Sequence, residues 1–137
     1  MEVVSMNEIH QNLRSLRSEV DASIRRDWNR SLPFADGLFN RWERARELGF
    51  GEGSSVFDSV HVMGDVSVGA GVWIGPFVML DGSGASLVIG DHCDISAGVH
   101  VYTHDTALRC VSFGALPTDA GPVTIGAGTY IGSQAVV

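Results

Sequence analysis

From Val56 to Val137 the chain repeats itself every six residues. An aliphatic residue stands at Val56, Val62, Val68, Ile74 and Leu80, and after a short slip at Ile89, Ile95 and Val101. After a longer interruption the series resumes at Ile125, Ile131 and Val137. Four places beyond the aliphatic slot comes a second compact side chain, at Val60, Val66, Val72, Val78, Cys93, Val99, Thr129 and Ala135. Neither the 3.6-residue period of a helix nor the two-residue alternation of one long strand produces this recurrence. Each hexapeptide is therefore read as a short strand plus a corner. Such self-similarity marks a repeat architecture in which stacked units share one continuous core.

Three units, about eighteen residues, close one triangular coil of a parallel β-helix. Assigning strands in turn to three faces stacks Val56, Ile74, Ile95 and Ile131 on the first. Val62, Leu80, Val101 and Val137 fall on the second, and Val68, Ile89 and Ile125 on the third. Both breaks in the repeat then fall at the same corner: a small slip at Gly82, Ser83, Gly84, Ala85 and Ser86, and a loop over about 107–124. Loops inserted at one edge of a solenoid commonly carry function. The strand before the longer loop also breaks the inward pattern, because Asp105 occupies a compact slot and His104 precedes it. A charge there marks the chain leaving the coil. An imidazole at the foot of a long loop suits a general base, since its neutral form accepts a proton from an alcohol or amine. Its position sets His104 apart from His10, His61, His92 and His100.

The first fifty residues differ in kind. Ser5 with Glu8 forms a capping-box signature, and Ile9, Leu13, Leu16, Val20, Ile24 and Trp28 recur at helical spacing. Ser31, Leu32 and Pro33 break that helix. A second helix is expected from Asp36 as cap, through Leu38, Phe39, Trp42, Ala45 and Leu48, to Gly49. Residues 1–50 are thus read as an N-terminal helical cap that covers the open end of a solenoid, and residues 51–137 as the repeat region.

All nine basic residues are Arg, and eight of them lie within the first 46 positions of a chain with net charge −7. The acidic repeat region speaks against a nucleic-acid partner. No stretch approaches the ~20 apolar residues of a membrane span and the opening residues do not read as a signal peptide, so a cytoplasmic protein is expected. Cys93 falls in an inward slot and Cys110 in the loop, which predicts a core filler and a loop thiol rather than a disulfide.

The motif (Leu/Ile/Val)-Gly-x-x-(small)-x resembles that of the hexapeptide-repeat acyltransferases. IGDHCDISAGVHVYTHD followed by a loop and PVTIGAGTYIGSQAVV is similar to the core of galactoside, maltose and related polysaccharide O-acetyltransferases. GFGEGSSVFDSVHVMGDVSVGAGVWIGPFVMLDGSG is similar to the acyltransferases of bacterial surface-polysaccharide pathways. The resemblance implies a mainly β fold, a left-handed parallel β-helix preceded by the helical cap. It implies acetyl-CoA as acyl donor, no metal, a sugar or sugar-containing acceptor, and a homotrimer whose loop reaches the next subunit. His104 matches the family's base. Gly132 and Ser133 match the Ile-Gly-Ser stretch that holds the thioester oxygen, and Tyr130 stands where many relatives have Trp. Tyr102, Asp105 and Asp81, the polar residues about the loop corner, are assigned to the acceptor side. Direct attack without a covalent acyl-enzyme follows.

Two departures accompany the likeness. The chain stops at the opening slot of a further hexapeptide, which reads as a truncated C-terminus, and Pro76, Phe77 and Val78 stand where sugar acetyltransferases often carry an amide. Two other readings stay open. One is a non-catalytic trimeric scaffold or truncated inactive relative. The other is a carbonic-anhydrase-like zinc enzyme using His92, His100 and His104, although His92 falls on a different face from His104.

Overall fold

The structure is a computed structural model that describes residues 5–137, so the first four residues of the expected cap lie outside it. The chain divides into two compact units between Asn40 and Arg41. The first holds α1 (Met6–Trp28) and α2 (Phe34–Leu38). Ser5 caps α1 through the expected box: its hydroxyl accepts from the Glu8 N–H at 3.2 Å, and its own N–H donates to Glu8 Oε2 at 2.8 Å. Asn29 ends the helix in the left-handed region, at φ 52°. α2 packs against the last turns of α1, where a Cβ on Gly37 would stand 2.7 Å from Ile24 Cδ1 and 3.0 Å from Val20 Cγ1. No residue of α1 is buried.

The second unit begins with α3 (Arg41–Glu47) and continues with β1 (Ser55–Val56), β2 (His61–Val68), β3 (Trp73–Ile74), β4 (Met79–Ile89), β5 (Asp94–Ile95) and β6 (His100–Tyr102). Then come β7 (His104–Asp105), α4 (Ala107–Val111), β8 (Asp119–Ala120), β9 (Val123–Ile125) and β10 (Tyr130–Ile131). The expected helix from Asp36 to Gly49 is therefore two helices. Asp36 is buried inside α2 rather than capping a helix, and Phe39 turns extended to break the run. Gly49 does end α3: at φ 74° its N–H donates to Arg46 O, while the Phe50 N–H donates to Ala45 O. That pair of bonds is a Schellman cap, and it needs the left-handed backbone that glycine adopts without strain. The Arg44 guanidinium donates to the carbonyls of Phe57 and Val60, which ties α3 to the first rung of strands.

The strands pair in parallel in the register that the six-residue phase requires. Val56 faces Ile74, Ile74 faces Ile95 and Ile95 faces Ile131 in a four-stranded sheet ordered β1-β3-β5-β10. In a second sheet Val62, Leu80 and Val101 align, as do Val68, Ile89 and Ile125. β7 and β8 form a separate antiparallel pair. The apolar slots make the core: Val56, Ile74, Leu80, Ile95 and Val101 have no exposed surface, nor do Cys93, Val78 and Val99 of the second slot. Fully burying each such aliphatic chain contributes about 1.5–3 kcal/mol. Cys93 is buried and Cys110 exposed, and both are free thiols.

The expected class, mainly β and a left-handed parallel β-helix, is overturned. Among the described residues, four helices and short strands in parallel sheets give nearly equal shares, 30% helix and 29% strand, an α/β composition in which no left-handed β-helix is evident. The physical reason lies in the repeat itself. Only two or three residues of most hexapeptides are extended and the rest turn, so a long repetitive stretch supplies little strand, while α1 alone supplies 23 helical residues.

Candidate active site at the loop corner

The small slip and the long loop meet beside His104. Thr103, 3% exposed, ties them together: its hydroxyl donates to Asp81 O at 2.9 Å and accepts from the N–H groups of Gly84 at 3.2 Å and Ala85 at 3.1 Å. Its own N–H also donates to Asp81 O, and its carbonyl accepts from Gly121 N. The backbone around His104 is thus fixed from the slip on one side and from the β8 end of the loop on the other. Space is equally constrained, since a Cβ on Gly84 would stand 2.5 Å from His104 Cβ.

Asp81 lies beneath the imidazole, 4% exposed. Its Oδ1 accepts from the Ser83 hydroxyl and from the Ser83 N–H at 2.9 Å, an Asx turn. Its Oδ2 is 3.9 Å from His104 Nδ1, and that nitrogen is buried without a hydrogen-bond partner. The Ser83 hydroxyl bond is the main cause that holds the Asp81 carboxyl below the usual carboxylate range; burial opposes it, and the Ser83 N–H and the His104 charge add to it.

Above the imidazole is an open cleft of about 510 Å³, lined by Tyr102, His104 and Asp105, by Asp119 to Gly121, and by Val136 and Val137. Its lining carries no lysine or arginine and two carboxylates, Asp105 and Asp119, which face each other across β7 and β8. Asp105 Oδ1 accepts from the N–H of Ala107, the first residue of α4, at 2.8 Å as the chain leaves the stack. The Tyr102 hydroxyl meets His100 Nδ1 at 3.1 Å.

Of the residues assigned from sequence, the structure gathers His104, Tyr102 and Asp105 in the cleft and sets Asp81 behind them. Tyr130, Gly132 and Ser133, at β10 and the turn after it, do not line the cleft. Phe77 is exposed and also lies off it. Ser83, Thr103 and Asp119 had no assigned role. The spacing Asp81-Gly82-Ser83 is a readable Asx-turn signal, whereas the contact of Thr103 with the slip joins positions about twenty apart and has no local signature. Among the described residues no group of three His, Cys, Asp or Glu side chains is arranged to hold a metal ion. No described helix is long and apolar enough to cross a membrane.

No protein-family model matches this chain, and no curated protein matches it at a significant level.

Proposed function

We propose that the protein transfers an acyl group, an acetyl in the simplest case, from acetyl-CoA to a hydroxyl or amine of a sugar-containing acceptor, with His104 as general base. The observation that carries this reading is the imidazole itself. It is 27% exposed and opens on a cleft at the loop corner, and the backbone beside it is held from the slip and from the loop. His104 takes the proton of the acceptor O–H or N–H as that atom bonds to the thioester carbonyl carbon. The C–S bond then breaks, and the imidazolium returns the proton to the departing thiolate, leaving free CoA and acylated acceptor. Donors near the carbonyl oxygen stabilise the charge that develops there.

Because Tyr130, Gly132 and Ser133 lie off the cleft, this reading has them act from a neighbouring copy, in a homotrimer. The loop supports that arrangement: Val111 is 74% and Phe113 fully exposed on it, together with Leu108 and Leu116, an apolar set suited to another copy. The reaction belongs in the cytoplasm, where the chain was expected from its sequence.

Calorimetric titration with acetyl-CoA, with the mass measured in solution, tests the reading. Saturable binding by a trimer is the expected result, and a folded monomer that does not bind acetyl-CoA overturns it. In an acceptor screen read by thiol release, His104→Ala should keep its melting temperature and lose transfer by ~10² or more.

A further inference from the structure

Asp81 Oδ2 faces His104 Nδ1, and that nitrogen is buried without a hydrogen-bond partner. Both Ser83 donors go to Asp81 Oδ1, which leaves Oδ2 as the oxygen toward the imidazole. His104 Nδ1 is buried and unbonded, 3.9 Å from that oxygen. The gap exceeds hydrogen-bond length, so the bond proposed below requires the imidazole to move toward the carboxylate. A buried N–H without a partner is costly, so a bond to a carboxylate decides which ring nitrogen carries the proton.

We propose that Asp81 is a positioning residue: it receives the His104 Nδ1–H, fixes that tautomer, and leaves Nε2 as the nitrogen that takes the acceptor's proton. Its catalytic consequence rests on the acyl-transfer reading above, while the tautomer itself does not. This places Asp81 behind the base rather than on the acceptor. At 4% exposure and off the cleft lining, it has little surface to offer a substrate.

The slip is the support of this arrangement. It brings Ser83 back onto Oδ1, and the Thr103 hydroxyl holds the next two N–H groups, so Oδ1 is engaged by the slip and Oδ2 is the oxygen on the imidazole side. The other charged or titratable groups near the imidazole are Asp105 on its own strand, Asp119 from β8, and Tyr102 from β6. Asp105 and Asp119 are exposed, and Asp81 is the buried carboxylate among them.

The test is the ¹⁵N spectrum of the histidine side chains, recorded where imidazoles are neutral, at about pH 8.5. His104, assigned by the loss of its signals in His104→Gln, should show Nδ1 protonated and Nε2 bare. Asp81→Asn should lose that preference, and Ser83→Ala should weaken it. A wild-type spectrum with Nε2 protonated, or an unchanged tautomer in Asp81→Asn, overturns the proposal whether or not transfer is detected. Where transfer is measured, Asp81→Asn should lower kcat roughly 10²-fold at constant acceptor KM. A raised KM with kcat unchanged would instead return Asp81 to the acceptor. Should Asp81→Asn fail to fold, the wild-type spectrum and Ser83→Ala still decide.

Discussion

The long N-terminal helix and the strand stack spend their apolar residues in opposite ways. α1 carries an apolar stripe at helical spacing, yet Ile9 is 40%, Leu13 49% and Leu16 39% exposed. In the stack, Leu80, Leu87, Ile74 and Ile95 expose nothing. The helix is sealed at its start by a capping box, and of its stripe only the Val20 and Ile24 end is partly covered, against α2. Two-residue strands have no such independence. They form because the rungs above and below complete their hydrogen bonds and cover their side chains. Packing therefore makes the stack, while the first half of α1 leaves its apolar stripe uncovered.

That contrast can be broken by substitution. Leu87→Ala should cost about 2–5 kcal/mol in denaturant unfolding, because rungs on both sides keep the cavity from collapsing. A loss below about 1 kcal/mol would show that the stack is loosely packed. Gly84→Ala comes next, at about 1–3 kcal/mol, since its new methyl meets His104 Cβ and the Thr103 carbonyl. It should also depress transfer by displacing the imidazole, a paired loss that Leu87→Ala should not show per folded molecule.

The acid limb of stability tests the corner separately. The folded Asp81 carboxyl titrates below its ordinary value, so its contribution is present above the unfolded value and lost as pH falls through the lower, folded one. Comparing unfolding midpoints near roughly pH 3 and 6, wild type should lose more stability than Asp81→Asn. Equal losses would remove Asp81 as a source of acid sensitivity. The smallest effect is expected in α1, where Leu13→Ala should stay within about 0.5 kcal/mol. A larger cost would mean that the stripe is covered in solution and would erase the contrast.

Sequence reading reached the register of the stack but not its class. The phase of six identified which aliphatic residues align, because an inward slot is a local property of every hexapeptide and one error would turn apolar side chains outward. It overstated the strand content, since the periodicity does not reveal how few residues per unit are extended. The second helix was misread because Asp36 suits a cap by type, while burial placed it inside α2. At the site, His104 and Asp105 were legible as violations of a pattern. Of the partnership of Asp81 with Ser83 and His104, the Asx turn has a readable signal in the Asp81-Gly82-Ser83 spacing, whereas the contact with His104 crosses from one rung to the next and has none.

The spacing between paired strands carries a further consequence. Val56 and Ile74 are 18 positions apart, Ile74 and Ile95 are 21, and Ile95 and Ile131 are 36, yet the three pairs stack alike. The stack thus counts rungs and ignores the length of chain between them, provided that the excess leaves at the His104 corner. Sequence drift by insertion is neutral to the core there and ruinous within a strand. That corner is the place in this unit where new peptide can be acquired without refolding the rest, and variation in length among descendants of this chain should collect beside the imidazole.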